Sequence, residues 1–308
     1  MSLSVDASNS CIPPSNALTA LTPPLPSTTR GVPVVLDGRA GRINSDRPVL
    51  VYPSGRLVIV REVESDLTPP TTPTTTTKAF VYRGHTAPVT CAKFSPSGCY
   101  IASGDTRGKL RVWSYDNSEH LCKLELASAL AGPIRDISWD ADSKRIVVVG
   151  QGSKTDPSGV CAKVIQWDTG VKVGDLGQHA GNRAATCAFR PGRPMRIVSG
   201  GEDTTCILNK GPPFGRVVDC KPSEKCHTRG VVSCVRYNST GGMIASVGTD
   251  KSVCFYDGKT MQLLKRVEDV HSASIYSCAW NAVGDALLTC SADGTVKLID
   301  VDGFTVVH

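Results

Sequence analysis

The fold of this chain can be predicted from residues 84–114, which read GHTAPVTCAKFSPSGCYIASGDTRGKLRVWS. This stretch opens on Gly-His, passes through an apolar run that ends in an aromatic residue, turns, and enters a second apolar run. After an Asp-containing turn, a third run closes on Trp113. Apolar and polar residues alternate within these runs, as in KLRVW at residues 109–113. This period of two predicts β-strands with one face more buried than the other.

The same order of features returns along the chain. After His85, the opening histidine recurs at three later positions, His179, His227 and His271. The steps are 94, 48 and 44 residues, and 94 is two units of 47. A copy without the histidine fills the double step: it starts at Gly132, carries an insertion at residues 151–159, and ends on the dipeptide Trp167-Asp168. Repeats of about 40–45 residues with this pattern are typical of propeller blades.

The repeats predict an all-β fold, a WD-repeat β-propeller of four-stranded antiparallel blades. A single such sheet cannot bury both faces, and radial stacking covers them. About six blades are expected, and the sequence leaves open whether six close the ring or a seventh is missing. The blades are predicted at residues 31–64, 84–116, 132–169, 178–214, 226–258 and 270–302, within a propeller spanning 31–308. A disordered Ser/Thr/Pro-rich segment is predicted at residues 1–30, and a low-complexity loop at 65–78.

The recurring histidines and aspartates predict a scaffold contact. A hydrogen bond from the loop histidine to the turn aspartate of the same blade would hold the loop against the turn. A nucleophilic triad is disfavoured, because an active site converges once whereas this pattern recurs in each repeat. The residues expected to be structural in the blades are His85, Asp105, Trp113, Trp167, Asp168, His179, His227, Asp250, His271 and Asp293.

Composition argues against several other classes of function. The net charge of +6 is spread over 308 residues without a basic run, so no nucleic-acid partner is expected. The 13 cysteines form no Cys-x-x-Cys pair, so neither a metal site nor a disulfide framework is expected. The sequence shows neither a secretory signal nor a long apolar segment. We therefore expect no enzyme activity, cofactor, small-molecule substrate or membrane contact, and a cytoplasmic location.

Several stretches carry a more specific resemblance. They are PSTTRGV at residues 26–32, YIASGDTRGKLRVW at 100–113, HLCKLE at 120–125, DSKRIVVVG at 142–150, GPPF at 211–214 and YDGKT at 256–260. With them, the chain resembles the N-terminal propeller half of the actin-interacting protein 1 (WD-repeat protein 1) family over about residues 26–302. The resemblance implies a cytoskeleton-associated protein that binds actin filaments and promotes their cofilin-dependent disassembly or severing. The expected partners are actin filaments and cofilin/ADF. The alternative is a generic WD-repeat scaffold for another protein complex, because a fold alone does not fix a partner.

The resemblance also implies a partner-binding patch around the insertion of the third blade and the GPPF loop, where the family is acidic and aromatic. The residues of this chain assigned to that patch are Gln151, Glu202, Asp203, Phe214 and Arg216. Gly215-Arg216 replaces a Lys-Phe pair of the family, and Gly230 stands where a further aromatic is usual, so weaker or altered binding is expected. For Phe214 a structural role stays open, in which the proline pair shapes a turn and the ring caps the core.

Overall fold

A computed structural model of the chain describes residues 11–12, 37–39, 49–62, 79–117, 119–153, 160–177, 179–214 and 227–307. The predicted loop at 65–78 lies outside these residues, as does Arg216 and, apart from residues 11–12, the predicted N-terminal segment. The chain divides into two compact units, Met1–Ser128 and Ala129–His308.

The first unit contains two antiparallel sheets, numbered in chain order. The strands of the first sheet are β1 Cys11–Ile12, β2 Asp37–Arg39, β3 Val49–Ser54, β4 Leu57–Glu62 and β5 Ala79–Tyr82. They are arranged in the order β1-β5-β4-β3-β2. The second sheet is a meander of β6 Val89–Phe94, β7 Tyr100–Asp105, β8 Leu110–Ser114 and β9 Cys122–Leu126.

The second unit contains four more antiparallel meanders. The strands of the third sheet are β10 Ile134–Trp139, β11 Arg145–Gly150, β12 Val160–Gln166 and β13 Lys172–Gly177. Those of the fourth are β14 Ala184–Phe189, β15 Arg196–Gly201 and β16 Cys206–Lys210. Those of the fifth are β17 Val232–Tyr237, β18 Met243–Gly248, β19 Val253–Asp257 and β20 Leu263–Val267. Those of the sixth are β21 Ile275–Trp280, β22 Ala286–Ser291, β23 Val296–Asp300 and β24 Thr305–Val306.

These sheets confirm the predicted fold class, an all-β WD-repeat propeller. Among the described residues, the regular structure outside the strands is one 3₁₀ turn, Ala180–Asn182. In the second to sixth sheets, the pairing of the first two strands shifts register near its start, as between Val89 and Cys91 or Val232 and Cys234. Such a bulge increases the local twist of the hairpin. The repeat in the sequence is thus a repeat of the same bulged meander.

The cores lie between neighbouring sheets of one unit. In the second unit, Val147 and Val164 of the third sheet share a cluster with Cys187, Phe189 and Phe214 of the fourth sheet and the loop after it. A second cluster joins the fifth sheet to the sixth and includes two more buried cysteines, Cys234 and Cys278. These thiols occupy positions where small apolar side chains pack, which is the usual role of buried free cysteine.

The sixth sheet is less completely buried than the fifth. Leu288 is 45% exposed and Val296 is 61% exposed, whereas Val247 and Val253 of the fifth sheet are fully buried. Five of the eight large apolar side chains that are exposed among the described residues lie in the sixth sheet or its hairpins. One face of this sheet is therefore apolar and in contact with solvent.

A buried polar network ties three sheets of the second unit together. The Asp136 carboxylate, on β10, accepts hydrogen bonds from Thr186 Oγ1 at 2.9 Å and from the Cys187 amide at 3.2 Å, both on β14. Arg236, on β17, donates from Nη1 to the same carboxylate at 3.2 Å and to Thr186 Oγ1 at 3.2 Å. Asp136 is only 4% exposed. Its carboxylate therefore depends on these donors to offset the cost of leaving water.

We expect Asp136→Ala to lower the free energy of unfolding by about 3 kcal/mol, because it leaves the Arg236 charge and the Cys187 amide without their acceptor. Urea unfolding followed by tryptophan fluorescence measures the change. Asp168→Ala removes the same charge from an exposed turn and serves as the control, with an expected change within about 0.5 kcal/mol. Equal effects of the two substitutions would contradict the role given to the network.

Candidate functional site

Four sheets contain the same buried polar contact, which we call the His–Asp clasp. In the second sheet, His85 Nδ1 lies 3.1 Å from Asp105 Oδ2 and Nε2 lies 2.8 Å from Ser103 Oγ. The fourth, fifth and sixth sheets repeat it with the pairs His179–Asp203 at 3.0 Å, His227–Asp250 at 2.8 Å and His271–Asp293 at 3.1 Å. The Nε2 partners there are the hydroxyls of Ser199, Ser246 and Thr289, each at 2.9 Å.

Each clasp connects three separate pieces of its repeat. The histidine lies in the loop before the first strand, and the hydroxyl lies on the second strand. The aspartate is the last residue of that strand in the second sheet, Asp105, and lies in the turn after it in the other three. Asp105 Oδ1 also accepts from the amides of Arg107 and Lys109, at 2.9 and 3.1 Å. Asp203 Oδ2 accepts from the Ala180 amide at 2.7 Å. The aspartate therefore caps its own turn and holds the loop against it.

The clasps are not arranged for nucleophilic chemistry. Ser103 and Ser246 are fully buried and Ser199 is 3% exposed. A substrate carbonyl would have to lie about 3 Å from the serine oxygen, and the burial leaves no approach to it. The arrangement supports a structural role, in which buried polar groups satisfy one another.

The sheet register corrects the sequence alignment of two repeats. Trp113 lies opposite Ile101, and its indole Nε1 donates to Ser103 Oγ at 3.4 Å, beside the clasp. An alignment of the repeats by their closing residues predicts Trp167 in the third sheet and Leu208 in the fourth at the equivalent place. The pairing gives that place to Ile165 and to Asn209 instead. β12 has seven residues against the five of β8, so the Trp167-Asp168 dipeptide falls beyond the strand end.

Trp167 and Asp168 therefore belong to a turn and not to a clasp. The indole Nε1 of Trp167 donates to the carbonyl of Ser143 at 2.6 Å, and its ring meets Trp139 edge to face at 6.1 Å. Asp168 is exposed. The third sheet thus lacks the clasp histidine, as the sequence shows. The two tryptophans pack against each other at the end of the sheet where β10 and β12 finish.

Three of the predicted partner-binding residues lie at one end of the third and fourth sheets. Gln151 follows β11 and forms an isolated bridge with Arg183, just before β14. Arg183 Nη1 lies 3.1 Å from Glu202 Oε2, and the Glu202 amide donates to the Arg183 carbonyl at 3.3 Å. Asp203, the next residue, belongs to the clasp of His179. We call Gln151, Asn182, Arg183 and Glu202 the Arg183 edge.

The Arg183 edge is exposed to solvent, and hydrogen bonds of Asn182 hold its backbone in place. The side chains of Arg183 and Glu202 are 46% and 33% exposed. Asn182 Nδ2 donates to the Ser153 carbonyl at 2.9 Å, and the Asn182 carbonyl accepts from the Gly152 amide at 2.9 Å. Arg183 was not singled out from the sequence, because its partners are 19 and 32 residues away and only the sheet pairing brings them together. The His179–Asp203 clasp holds the turn in which Glu202 precedes Asp203.

Phe214 does not lie at the Arg183 edge but follows the opposite end of the fourth sheet. Arg196 pairs with Lys210 and Gly200 with Cys206, so Glu202 and the loop after Lys210 lie at opposite ends of the fourth sheet. Phe214 is 3% exposed and packs edge to face on Phe189 at 6.5 Å. Its ring is therefore part of the core. Arg216 lies outside the described residues.

Gly230 stands where the resembling family usually has an aromatic residue, and the local backbone explains why this chain has glycine there. Its φ of +78° is in the left-handed region, and a Cβ there would overlap Thr249 Oγ1. That hydroxyl accepts from the Val231 amide at 2.9 Å, which fixes the turn. An aromatic residue at this position would require a different local backbone.

The described residues contain no group of three or more His, Cys, Asp and Glu side chains placed to hold a metal ion. Their helical content includes nothing long and apolar enough to cross a membrane.

Comparison with known proteins relates the chain to a family. The WD domain, G-beta repeat family matches residues 76–114, 219–257 and 262–300. Actin-interacting protein 1 of Drosophila melanogaster is 39% identical over 92% of this chain and 42% of that protein. The 66 kDa stress protein of Physarum polycephalum is 39% identical over 86% of this chain and 40% of that protein. WD repeat-containing protein 1 of Xenopus tropicalis is 37% identical over 90% of this chain and 42% of that protein. The chain thus spans about two fifths of the length of these relatives.

The clasps predict that acid destabilises the fold in two stages. Burial lowers the pKa of His85 below the usual 6.5, more than the hydrogen bond that His85 donates to the Asp105 carboxylate raises it. The unfolded chain therefore binds a proton first, and stability falls as the pH drops below about 6.5. Burial alone would raise the pKa of Asp203, but its hydrogen bonds to His179, Ala180 and Thr205 outweigh that effect and lower it from 3.8 to about 2. Its contribution is complete above about pH 5 and is lost as the pH falls toward 2.

Urea unfolding between pH 7.5 and pH 2.5 tests both stages. Asp203→Asn removes the titrating group, so we expect the variant to be less stable at pH 7 and to lose less stability below pH 4 than the native chain. Asp168→Asn, in an exposed turn, should leave the profile unchanged. Parallel profiles for the native chain and Asp203→Asn below pH 4 would contradict the assignment.

Proposed function

The chain carries WD repeats and is related over about nine tenths of its length to the actin-interacting protein 1 family, and on that premise we propose that it binds actin filaments and promotes their disassembly with cofilin. The observation that carries the proposal is the 39% identity over 92% of the chain to a protein named for its interaction with actin. The proposed activity needs no cofactor and no catalytic turnover.

The proposed mechanism is preferential binding to one state of the filament. A ligand shifts an equilibrium only by its difference in affinity for the two states. If the chain binds the cofilin-twisted filament more tightly than the bare one, it stabilises the strained state from which filaments sever. Rigid sheets suit this task, because a stiff binding surface discriminates between two filament geometries better than a pliable one.

We propose that the Arg183 edge is the contact surface. Gln151, Arg183 and Glu202 offer an amide, a guanidinium and a carboxylate on a braced backbone, and arginine is among the residues that most often dominate the energy of an interface. Asp203 takes part indirectly, by fixing through its clasp the turn that carries Glu202. Arg216 stays a proposed contact.

Phe214 is not part of the proposed contact surface, because its ring is buried against Phe189. Interfaces usually take much of their energy from aromatic anchors. Without Phe214, and with glycine at position 230, the contact proposed here is mainly polar and charged. We therefore expect weak binding with a marked dependence on salt.

Co-sedimentation with actin filaments, with and without cofilin, tests the proposal. The native chain should pellet with cofilin-decorated filaments and less with bare ones. Glu202→Lys and Arg183→Glu should each weaken binding to decorated filaments about tenfold, equivalent to about 1.4 kcal/mol. Glu119→Lys makes the same charge change at an exposed residue of the loop between β8 and β9 and should leave binding unchanged.

The double variant Arg183→Glu, Glu202→Arg separates a structural role from a contact role. It restores the ion pair within the chain but reverses both charges toward a partner. Weak binding of the double variant supports the contact, whereas recovered binding would show that the pair acts only within the fold. A folded native chain that stays in the supernatant with and without cofilin would favour the generic scaffold instead.

A further inference from the structure

Two positively charged residues lie opposite each other on neighbouring strands of the fourth sheet. Arg196, the first residue of β15, lies directly opposite Lys210, the last residue of β16. Residues in this relation share one face of the sheet, and like charges placed so close destabilise it. Among the described residues, no carboxylate pairs with either cation. Arg196 Nη1 donates to the Met195 carbonyl at 3.1 Å, while its buried Nε has no partner.

The other repeats show that the fold does not require this pair. The corresponding positions are Tyr100 and Ser114, Arg145 and Gln166, Met243 and Asp257, and Ala286 and Asp300. Each of those pairs contains at most one cation. A lysine at position 210 therefore costs stability that the repeat elsewhere avoids, and such local conflicts concentrate at functional sites.

The two cations line a groove of about 580 Å³. Arg193 adds a third cation, and Pro194, Met195 and Pro212 provide an apolar floor. The groove is shallow and open to solvent, so it suits an extended segment laid across it better than a small enclosed ligand. Since an isolated small anion gains little from an apolar floor, the lining suits a ligand with both carboxylates and apolar groups.

The walls of the groove are fixed before any ligand binds. Arg190 is 6% exposed and donates from Nε to the Gly241 carbonyl at 2.7 Å and from Nη1 to the Pro194 carbonyl at 3.2 Å. The Gly211 amide donates to the Met195 carbonyl at 2.8 Å, which joins the two loops. A preformed groove lowers the cost of ordering on binding.

Arg193 remains available to a ligand. Its only described ion pair is with Asp142 at 3.6 Å, and the two side chains are 76% and 51% exposed. Exposed pairs of this kind contribute little. An incoming carboxylate can therefore engage Arg193 at small cost.

We propose that this groove binds an acidic peptide segment of a protein partner. Carboxylates of the segment neutralise Arg193, Arg196 and Lys210, while its apolar side chains cover Pro194, Met195 and Pro212. The groove lies at the opposite end of the fourth sheet from Glu202, about 20 Å away along β15. It is thus separate from the Arg183 edge, and the proposal does not rest on the actin-binding function.

Fluorescence anisotropy with a labelled peptide of glutamates flanked by leucines tests the proposal on the full chain. Lys210→Asp and Arg193→Glu should each weaken binding about tenfold, and binding should weaken as salt rises. Lys265→Glu, an equal charge change on exposed β20, should alter affinity less than twofold. Lys210→Asp also gives Arg196 an opposite charge, so its Tm should rise by about 1 to 3 °C.

The rise in Tm shows that lost binding does not come from unfolding. Three results would overturn the proposal. The first is no binding of the glutamate peptide by the native chain at low salt. The second is equal binding of the same peptide with glutamines in place of glutamates. The third is full displacement by inorganic phosphate at concentrations equal to those of the peptide, which would identify a small-anion site.

Discussion

Four of the six described sheets are held in register by a buried hydrogen bond between a loop histidine and an aspartate at or just after the end of the second strand. A buried imidazole and carboxylate are costly unless each finds its partner, so the clasp forms only when loop, strand and turn are all in register. The space around it is closed as well: a methyl group on Gly201 would overlap both His179 Nδ1 and Asp203 Oδ1. Repetition of the clasp in four of the six described sheets imposes that register on most of the repeats.

Because a clasp fixes one end of its sheet, it also fixes the position of the charged side chains at that end. The Asp203 clasp holds the turn that carries Glu202, and Arg183 bridges to Gln151 of the third sheet, which has no clasp of its own. The result is a charged edge on a rigid frame. The other end of the fourth sheet is held differently, by Arg190 and the Gly211 amide, and there the sequence places two cations face to face. The two ends thus differ in both their support and their charge.

The sequence was sufficient to predict the fold class, because strand periodicity and the spacing of histidines are local properties. It also predicted the histidine and the aspartate of the His85, His227 and His271 clasps, but not their hydroxyl partners. It misaligned Trp167 and Leu208, because the register between strands is set by backbone hydrogen bonds and changes when a strand such as β12 lengthens. The sequence did not predict a role for Arg183, because its partners are distant in the chain. It also did not show that the Asp203 carboxylate is used within the clasp.

We propose that the clasped end of the fourth sheet faces the actin filament. Hydrogen–deuterium exchange of the chain, alone and with cofilin-decorated actin filaments, tests this placement. We expect slower exchange on binding at the amides of residues 179–183 and 201–205, with little change in the already protected interior of β18. Protection confined to the loops that carry Arg193 and Lys210, or unchanged exchange at residues 179–183 and 201–205 under conditions where the chain pellets, would contradict it.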